Sequence, residues 1–250
     1  MVRITYTRCM TALDQVLGSI SFSARLTGML NVYVLAPGES SAPFGSTVAP
    51  QINAHYHQHL FSFRIDPCVD GLRNTVIESD VVPLVAPTGS AENYAGNGFV
   101  VEEHVISTAK EGGRSYDFAK DRRWTIVNRE KLHYASGKPV GYGLIVGGAS
   151  KELLAKEDSW IANRAWFSTK SLWVVRDEED KPRMWPAGKY VPQTRSNPKD
   201  SVAFWCKGEE SLEDQDLVLF LTMGINHIPH PEQWPVYVHS YMRALRVFYN

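Results

Sequence analysis

The run Asn53-Ala54-His55-Tyr56-His57-Gln58-His59 leads into the apolar, aromatic segment Leu60-Phe61-Ser62-Phe63-Arg64-Ile65-Asp66 and sets three imidazoles on alternate residues. A β-strand sends residues i and i+2 to one face. An adjacent His-x-His pair on a strand therefore converges on one metal ion without distorting the backbone. Copper(II) favours imidazole nitrogen, and a site with three such ligands keeps room for water or dioxygen. The strand supplies two ligands, and spacing leaves open which adjacent pair of His55, His57 and His59 does so. His227, in Thr222-Met223-Gly224-Ile225-Asn226-His227-Ile228-Pro229, closes another apolar run and is the strongest source of a third. His104, His133, His230 and His239 stand in no such pattern and read as structural or surface residues.

Two other metal readings fit less well. A cupin-type site also uses His-x-His on a strand, but it calls for a carboxylate three or four residues on, where this chain has Ser62 and Phe63. Structural zinc calls for thiolates or a fourth histidine, and none lies at a suggestive spacing. A lone histidine is more often a surface or hydrogen-bonded residue than a ligand. Three on one face of an unbroken strand shift that balance.

The elements that must carry these residues read as strands. Leu30 to Leu35, His59 to Ile65, Gly98 to Ile106, Trp124 to Val127, Ser171 to Val175 and Leu217 to Met223 are short, rich in β-branched and aromatic residues, and bounded by Gly, Pro or charge. Ser150 to Glu157 reads as a short helix, and Ser240 to Phe248 fits helix or strand. Turn chemistry punctuates the chain at Ala36-Pro37-Gly38-Glu39, Val69-Asp70-Gly71, Glu111-Gly112-Gly113 and Ser136-Gly137-Lys138-Pro139. Polar stretches near 107–123 and 176–201 read as surface excursions. The pattern predicts a mainly β fold, a large antiparallel β-sandwich.

Composition bounds the partners. The chain has 250 residues, 44% hydrophobic and 11% aromatic, enough for a large core. Its 26 basic and 27 acidic residues are interspersed and give a formal charge of −1, which leaves no electrostatic footprint for nucleic acid or an anionic membrane. Cys9, Cys68 and Cys206 form no C-x-x-C pair, against a disulfide framework and a zinc ribbon. No signal-peptide core, no apolar stretch of about 18 residues and no Asn-x-Ser/Thr acceptor occurs, so a soluble intracellular protein is expected. The ending Phe248-Tyr249-Asn250 is not a Ser-Lys-Leu-type address, and cytoplasm and peroxisome stay open.

At this point the residues resemble the catalytic domain of the copper-containing, quinone-dependent amine oxidases, fungal members above all. The likeness runs through Leu26 to Asn31, Ala36 to Glu39, Ala49 to His59, Asp66 to Gly71, His133 to Tyr142 and Thr222 to Pro235. It implies one partial catalytic domain over residues 1–250, incomplete at both termini, with 1–25 and 236–250 poorly matched. It also implies His57, His59 and His227 as the copper ligands, with His55 set aside. The family's signature has a second acid where Gln233 stands after Glu232, and an arginine where His230 stands; neither position is a ligand.

The resemblance further implies topaquinone, a cofactor made by copper and oxygen from a tyrosine of the same chain. That tyrosine falls on Tyr6, although Thr5 and Thr7 replace the flanking asparagine and acid of the family motif. Asp66 and Asp216 match two acids of a peripheral calcium site, with main-chain carbonyls at Pro67 and Leu217, while Cys68 replaces a further acid. The implied reaction is oxidative deamination of a primary amine by dioxygen to aldehyde, ammonia and hydrogen peroxide, in a homodimer.

The proton-abstracting aspartate of the family lies upstream of the quinone tyrosine, and this sequence begins five residues before Tyr6. Losing a positioned base costs ~10²–10⁴-fold in rate, so this chain by itself is expected to be impaired or inactive, and its unpaired strand edges to make it poorly soluble or dependent on a partner subunit. The alternative is a metal-binding β-sandwich fragment without turnover.

Overall fold

In the computed structural model, residues 6–14, 19–146, 151–180, 183–189 and 198–249 are described, with backbone only for 6–14, 19, 21, 23, 25 and 237–249. The strands are β1 (Tyr6–Asp14), β2 (Ser19–Met29), β3 (Val32–Val34), β4 (Gly45–Ala49), β5 (Ile52–His55), β6 (His57–Ile65), β7 (Thr75–Pro83), β8 (Phe99–Val105), β9 (Gly113–Arg114), β10 (Arg123–Leu132), β11 (Pro139–Ile145), β12 (Leu172–Arg176), β13 (Leu217–His227) and β14 (Val236–Tyr249). They form a seven-stranded sheet in the order β1-β2-β14-β11-β10-β7-β8, a four-stranded sheet β6-β13-β12-β9, and a three-stranded sheet β3-β5-β4. Every pairing between them is antiparallel. The expected sandwich is what the chain folds into.

Alternation decides which residues meet between the layers. Val76, Trp124, Ile126, Val140 and Leu144 of the seven-stranded sheet pack against Leu172, Val174, Leu217, Leu219, Leu221 and Met223 of the four-stranded one, with Phe61, Phe63 and Ile65 at its edge. On the far face of β12 and β13, Trp173, Val175, Val218 and Phe220 pack against Val202 and Trp205 of the short helix Val202–Trp205, with Trp166 and Phe167 of a 3₁₀ turn. Both faces of β13 are thus covered. That is why its sequence reads as an unbroken apolar run rather than an alternating one.

One polar bridge crosses the layers. Glu78 of β7, 3% exposed, accepts from Arg114 of β9 through Nε (2.9 Å) and Nη2 (2.5 Å), and from the Trp124 indole (2.9 Å). Arg122 clamps the neighbouring Asp80 through Nε (2.7 Å) and Nη2 (2.8 Å). Both arginines come from the 107–123 stretch, which therefore contributes to the layer interface instead of forming only a surface excursion.

Two expectations are corrected. Residues 151–157 form no helix; the helix nearby is Trp160–Arg164, started by the Ser159 hydroxyl accepting from the Ala162 N–H at 3.1 Å. The ambiguous stretch 240–248 is strand, because β14 inserts between β2 and β11.

Candidate metal centre

His57 and His59 lie on the same face of β6 as Phe61, Phe63 and Ile65, and His227 continues the core-facing series Leu217, Leu219, Leu221, Met223, Ile225 of β13. The strands pair with His227 opposite His57 and Ile225 opposite His59. Directly opposed side chains on one face of an antiparallel pair stand about 4.5–5.5 Å apart at Cβ. The three imidazoles therefore meet at one end of the core by register alone.

The register is tightened from both sides of β13. A side chain at Gly224 would overlap the main-chain carbonyl of His59, so only glycine lets the strands close here. Across the pleat, Gln58 donates to Asn226 Oδ1 (2.8 Å), its partner in register, and to the Glu152 carbonyl (3.0 Å), while its own oxygen accepts from the Leu154 N–H (2.9 Å). Thr222 Oγ1 donates to the Phe167 carbonyl at 3.1 Å.

His55 departs from the expected unbroken strand. The ladder stops at Tyr56, where the chain leaves the three-stranded sheet and joins β6 of the four-stranded one. Alternation does not carry across such a crossing. The His55 ring lies instead against Tyr33, centroids 4.7 Å apart, and only its main-chain carbonyl serves the site.

That carbonyl and one amide orient two ligands. Nδ1 of His57 lies 2.8 Å from the His55 oxygen, which only accepts, so the proton sits on Nδ1 and Nε2 keeps its lone pair. Nε2 of His227 lies 3.0 Å from Oε1 of Gln233, which also accepts from the His230 N–H at 3.1 Å. The backbone donor fixes which end of the amide is oxygen; His227 must then donate through Nε2, leaving Nδ1 unprotonated. Burial, with smaller contributions from His57 and His230, lowers the His227 pKa against the raising effect of Gln233 and favours this neutral ring.

The remaining ring nitrogens lie close together. His57 Nε2 is 3.0 Å from His59 Nε2 and 3.2 Å from His227 Nδ1, and one nitrogen from each ring lies within 4.8 Å of the other two. Ligands bound at ~2.0–2.1 Å with angles between square and tetrahedral stand about 2.8–3.4 Å apart. Among the described residues this is the sole cluster of three metal-ligating side chains. An all-imidazole donor set suits copper or zinc and disfavours calcium and magnesium.

The other expected residues are less gathered. β1 opens at Tyr6, whose Cα pairs with Thr27; its side chain lies outside the described residues, as does that of Cys9. Asp66 is ion-paired to Arg64 at 2.8 Å, and Arg64 also reaches Asp177 at 3.1 Å. Asp216 has a buried Oδ1 without a hydrogen-bond partner, and burial, then Asp177 and Asp66, push its pKa up. Such an oxygen fits a hard cation, but Asp66, Asp177 and Asp216 are not drawn together as the imidazoles are. Cys68 and Cys206 are free thiols, and burial pushes Cys206 up to about 12, an unreactive group.

Known proteins resemble this chain in sequence and in fold. The family model described as copper amine oxidase, enzyme domain, matches residues 13–245. The peroxisomal primary amine oxidase of Pichia angusta is 40% identical over 220 residues, 88% of this chain and 31% of its own length. The histamine oxidase of Arthrobacter globiformis is 37% identical over 220 residues, 88% of this chain and 30% of its own. The crystal structure of a copper-containing benzylamine oxidase from Hansenula polymorpha superposes with a TM-score of 0.88 at 30% identity, covering 100% of this chain and 38% of that one. The chain thus spans about a third of the relatives it matches, and with the histidine cluster at the end of its sandwich it belongs to the copper amine oxidase family, within the enzyme domain.

Proposed function

We propose that this chain provides the copper centre of a primary-amine oxidase, a protein that converts a primary amine, dioxygen and water to an aldehyde, ammonia and hydrogen peroxide. One observation carries the reading: ring nitrogens of His57, His59 and His227 gather within 4.8 Å of one another, and the other nitrogen of His57 and of His227 is committed to a fixed acceptor. His57, His59 and His227 would hold copper(II). Copper, when bound, supplies the redox chemistry that makes the tyrosine-derived quinone and returns electrons to oxygen. The protein's share is to aim the rings and shield them at the end of an apolar core.

Tyr6 is the proposed source of topaquinone. Its support is the family position and its register: β1 begins beside Thr27, next to Leu26, whose side chain packs in the cluster that includes Phe61 and Ile225, each two residues from a proposed ligand. Asp66 and Asp216 are proposed to take calcium, the orphan oxygen of Asp216 being the support. A homodimer is the proposed assembly, by family. No described helix is long and apolar enough to cross a membrane, and a soluble location, cytoplasmic or peroxisomal, is proposed.

The test is to load the purified chain with copper in air and treat it with a quinone-reactive hydrazine, followed by peptide mapping. A coloured adduct on Tyr6, absent in Tyr6→Phe while copper stays bound, is expected. A folded, copper-loaded chain without an adduct would overturn the quinone assignment.

A further inference from the structure

We infer that Gln233 is the positioning residue of the metal centre and that its neutral amide sets the centre's preference between Cu(II) and Cu(I); the inference rests on the copper reading proposed above. The side chain sits in the 3₁₀ turn Pro231–Gln233 that follows β13, and its oxygen takes two donors, the His227 ring at 3.0 Å and the His230 main chain at 3.1 Å. One oxygen therefore does two things. It ties the turn back onto the strand end, and it fixes the His227 ring with Nδ1 toward His57 Nε2, 3.2 Å away.

The chemistry of the acceptor matters as much as its place. A group accepting the distal N–H of a metal-bound imidazole polarises that bond and raises the basicity of the coordinating nitrogen, and its removal typically weakens metal binding 10–100-fold. A carboxylate there is a charged acceptor and pushes hardest; an amide orients the ring equally but leaves the ligand a weaker donor. A weaker, uncharged donor set favours Cu(I) over Cu(II). His57 carries the same kind of support from a neutral acceptor, the His55 carbonyl at 2.8 Å. Two of the three ligands are thus oriented without an anion.

The experiment compares the whole chain with Gln233→Leu and Gln233→Glu. Cu(II) affinity is read by chelator competition, coordination by the Cu(II) EPR spectrum, and the Cu(II)/Cu(I) balance by the midpoint potential. Gln233→Leu is expected to lose 10–100-fold in Cu(II) affinity with a changed EPR spectrum. Gln233→Glu is expected to keep the wild-type spectrum type and favour Cu(II) over Cu(I) by about tenfold, a fall of ~59 mV for one electron. A purely structural glutamine would leave the potential of Gln233→Glu where it was, and that result overturns the inference. It also decides the matter should Gln233→Leu not fold. A wild-type chain that takes up no copper overturns the metal centre itself, a distinct outcome.

Discussion

Gly224 lies against the main-chain carbonyl of His59, on the strand directly beside it, with no room for even a methyl group. Gly224→Ala must push β13 from β6 within three residues of His227, at a cost of ~1–3 kcal/mol for overpacking and at least a tenfold loss of copper affinity. Thermal melts and copper titration check both. A variant with wild-type affinity would show that the close approach does not hold the ligands.

Copper should stabilise the fold, because it binds the native constellation and the unfolded chain has none. At ~100-fold above the dissociation constant the gain is ~2.7 kcal/mol, roughly 5–11 °C at this size. His57→Ala, His59→Ala and His227→Ala should each abolish the shift. His55→Ala should keep it, since His55 serves the site through its carbonyl; loss of the shift there would return His55 to the ligand set.

Calcium is predicted to act separately. If Asp216 Oδ1 is an oxygen ligand, calcium raises the melting temperature of the wild-type chain but not of Asp216→Asn, and copper still binds both. Without calcium, Asp216→Asn should be at least as stable as wild type near neutral pH, because the raised pKa means that ionising Asp216 disfavours the fold. Identical calcium responses in the two proteins would remove Asp216 from any such site.

Acid should unfold the chain through its interlayer carboxylates. Burial pushes Glu78 up, yet hydrogen bonds from Arg114 and Trp124 and the charges of Arg114 and Arg122 outweigh it, holding the group below its ordinary value of 4.5. Arg122 holds Asp80, and Arg129 holds Asp214, below the ordinary 3.8. A depressed carboxylate stabilises the fold above its unfolded pKa and loses that contribution as pH falls through its folded one. Stability is therefore expected to be level above about pH 4.5 as far as these groups go and to decline below it. Urea melts of Glu78→Gln should show a shallower acid limb from a lower plateau; an unchanged limb would acquit Glu78.

Much of the site was legible because it obeys local rules. The strands His59 to Ile65 and Leu217 to Met223 are where short apolar runs rich in aromatic and branched residues put them, and parity along them aligns His57, His59 and His227. What failed depends on distant partners. His55 satisfies the same alternation, but Tyr56 lies at a crossing between sheets that no spacing reveals. Residues 151–157 contain good helix formers, yet the Glu152 carbonyl and the Leu154 N–H are bonded by Gln58, and the Glu152 carboxylate accepts from the Ser171 N–H and hydroxyl. Those backbone groups are unavailable to a helix. Gln233 stands out in the sequence only as a missing acid, and its contact with the His227 ring needs the turn to fold back.

The histidines occupy the last places of two series that otherwise hold Phe61, Phe63 and Ile65 on β6 and Leu221, Met223 and Ile225 on β13. The centre is therefore counted in steps of two from the core. Over evolutionary time, gain or loss of one residue between His59 and Phe61, or between Ile225 and His227, would turn a ligand out to solvent, and a two-residue gain in one strand alone would keep its facing but carry its histidines past their partners across the ladder. The length of these two segments, more than the identity of the residues between, is what descent in this lineage must conserve.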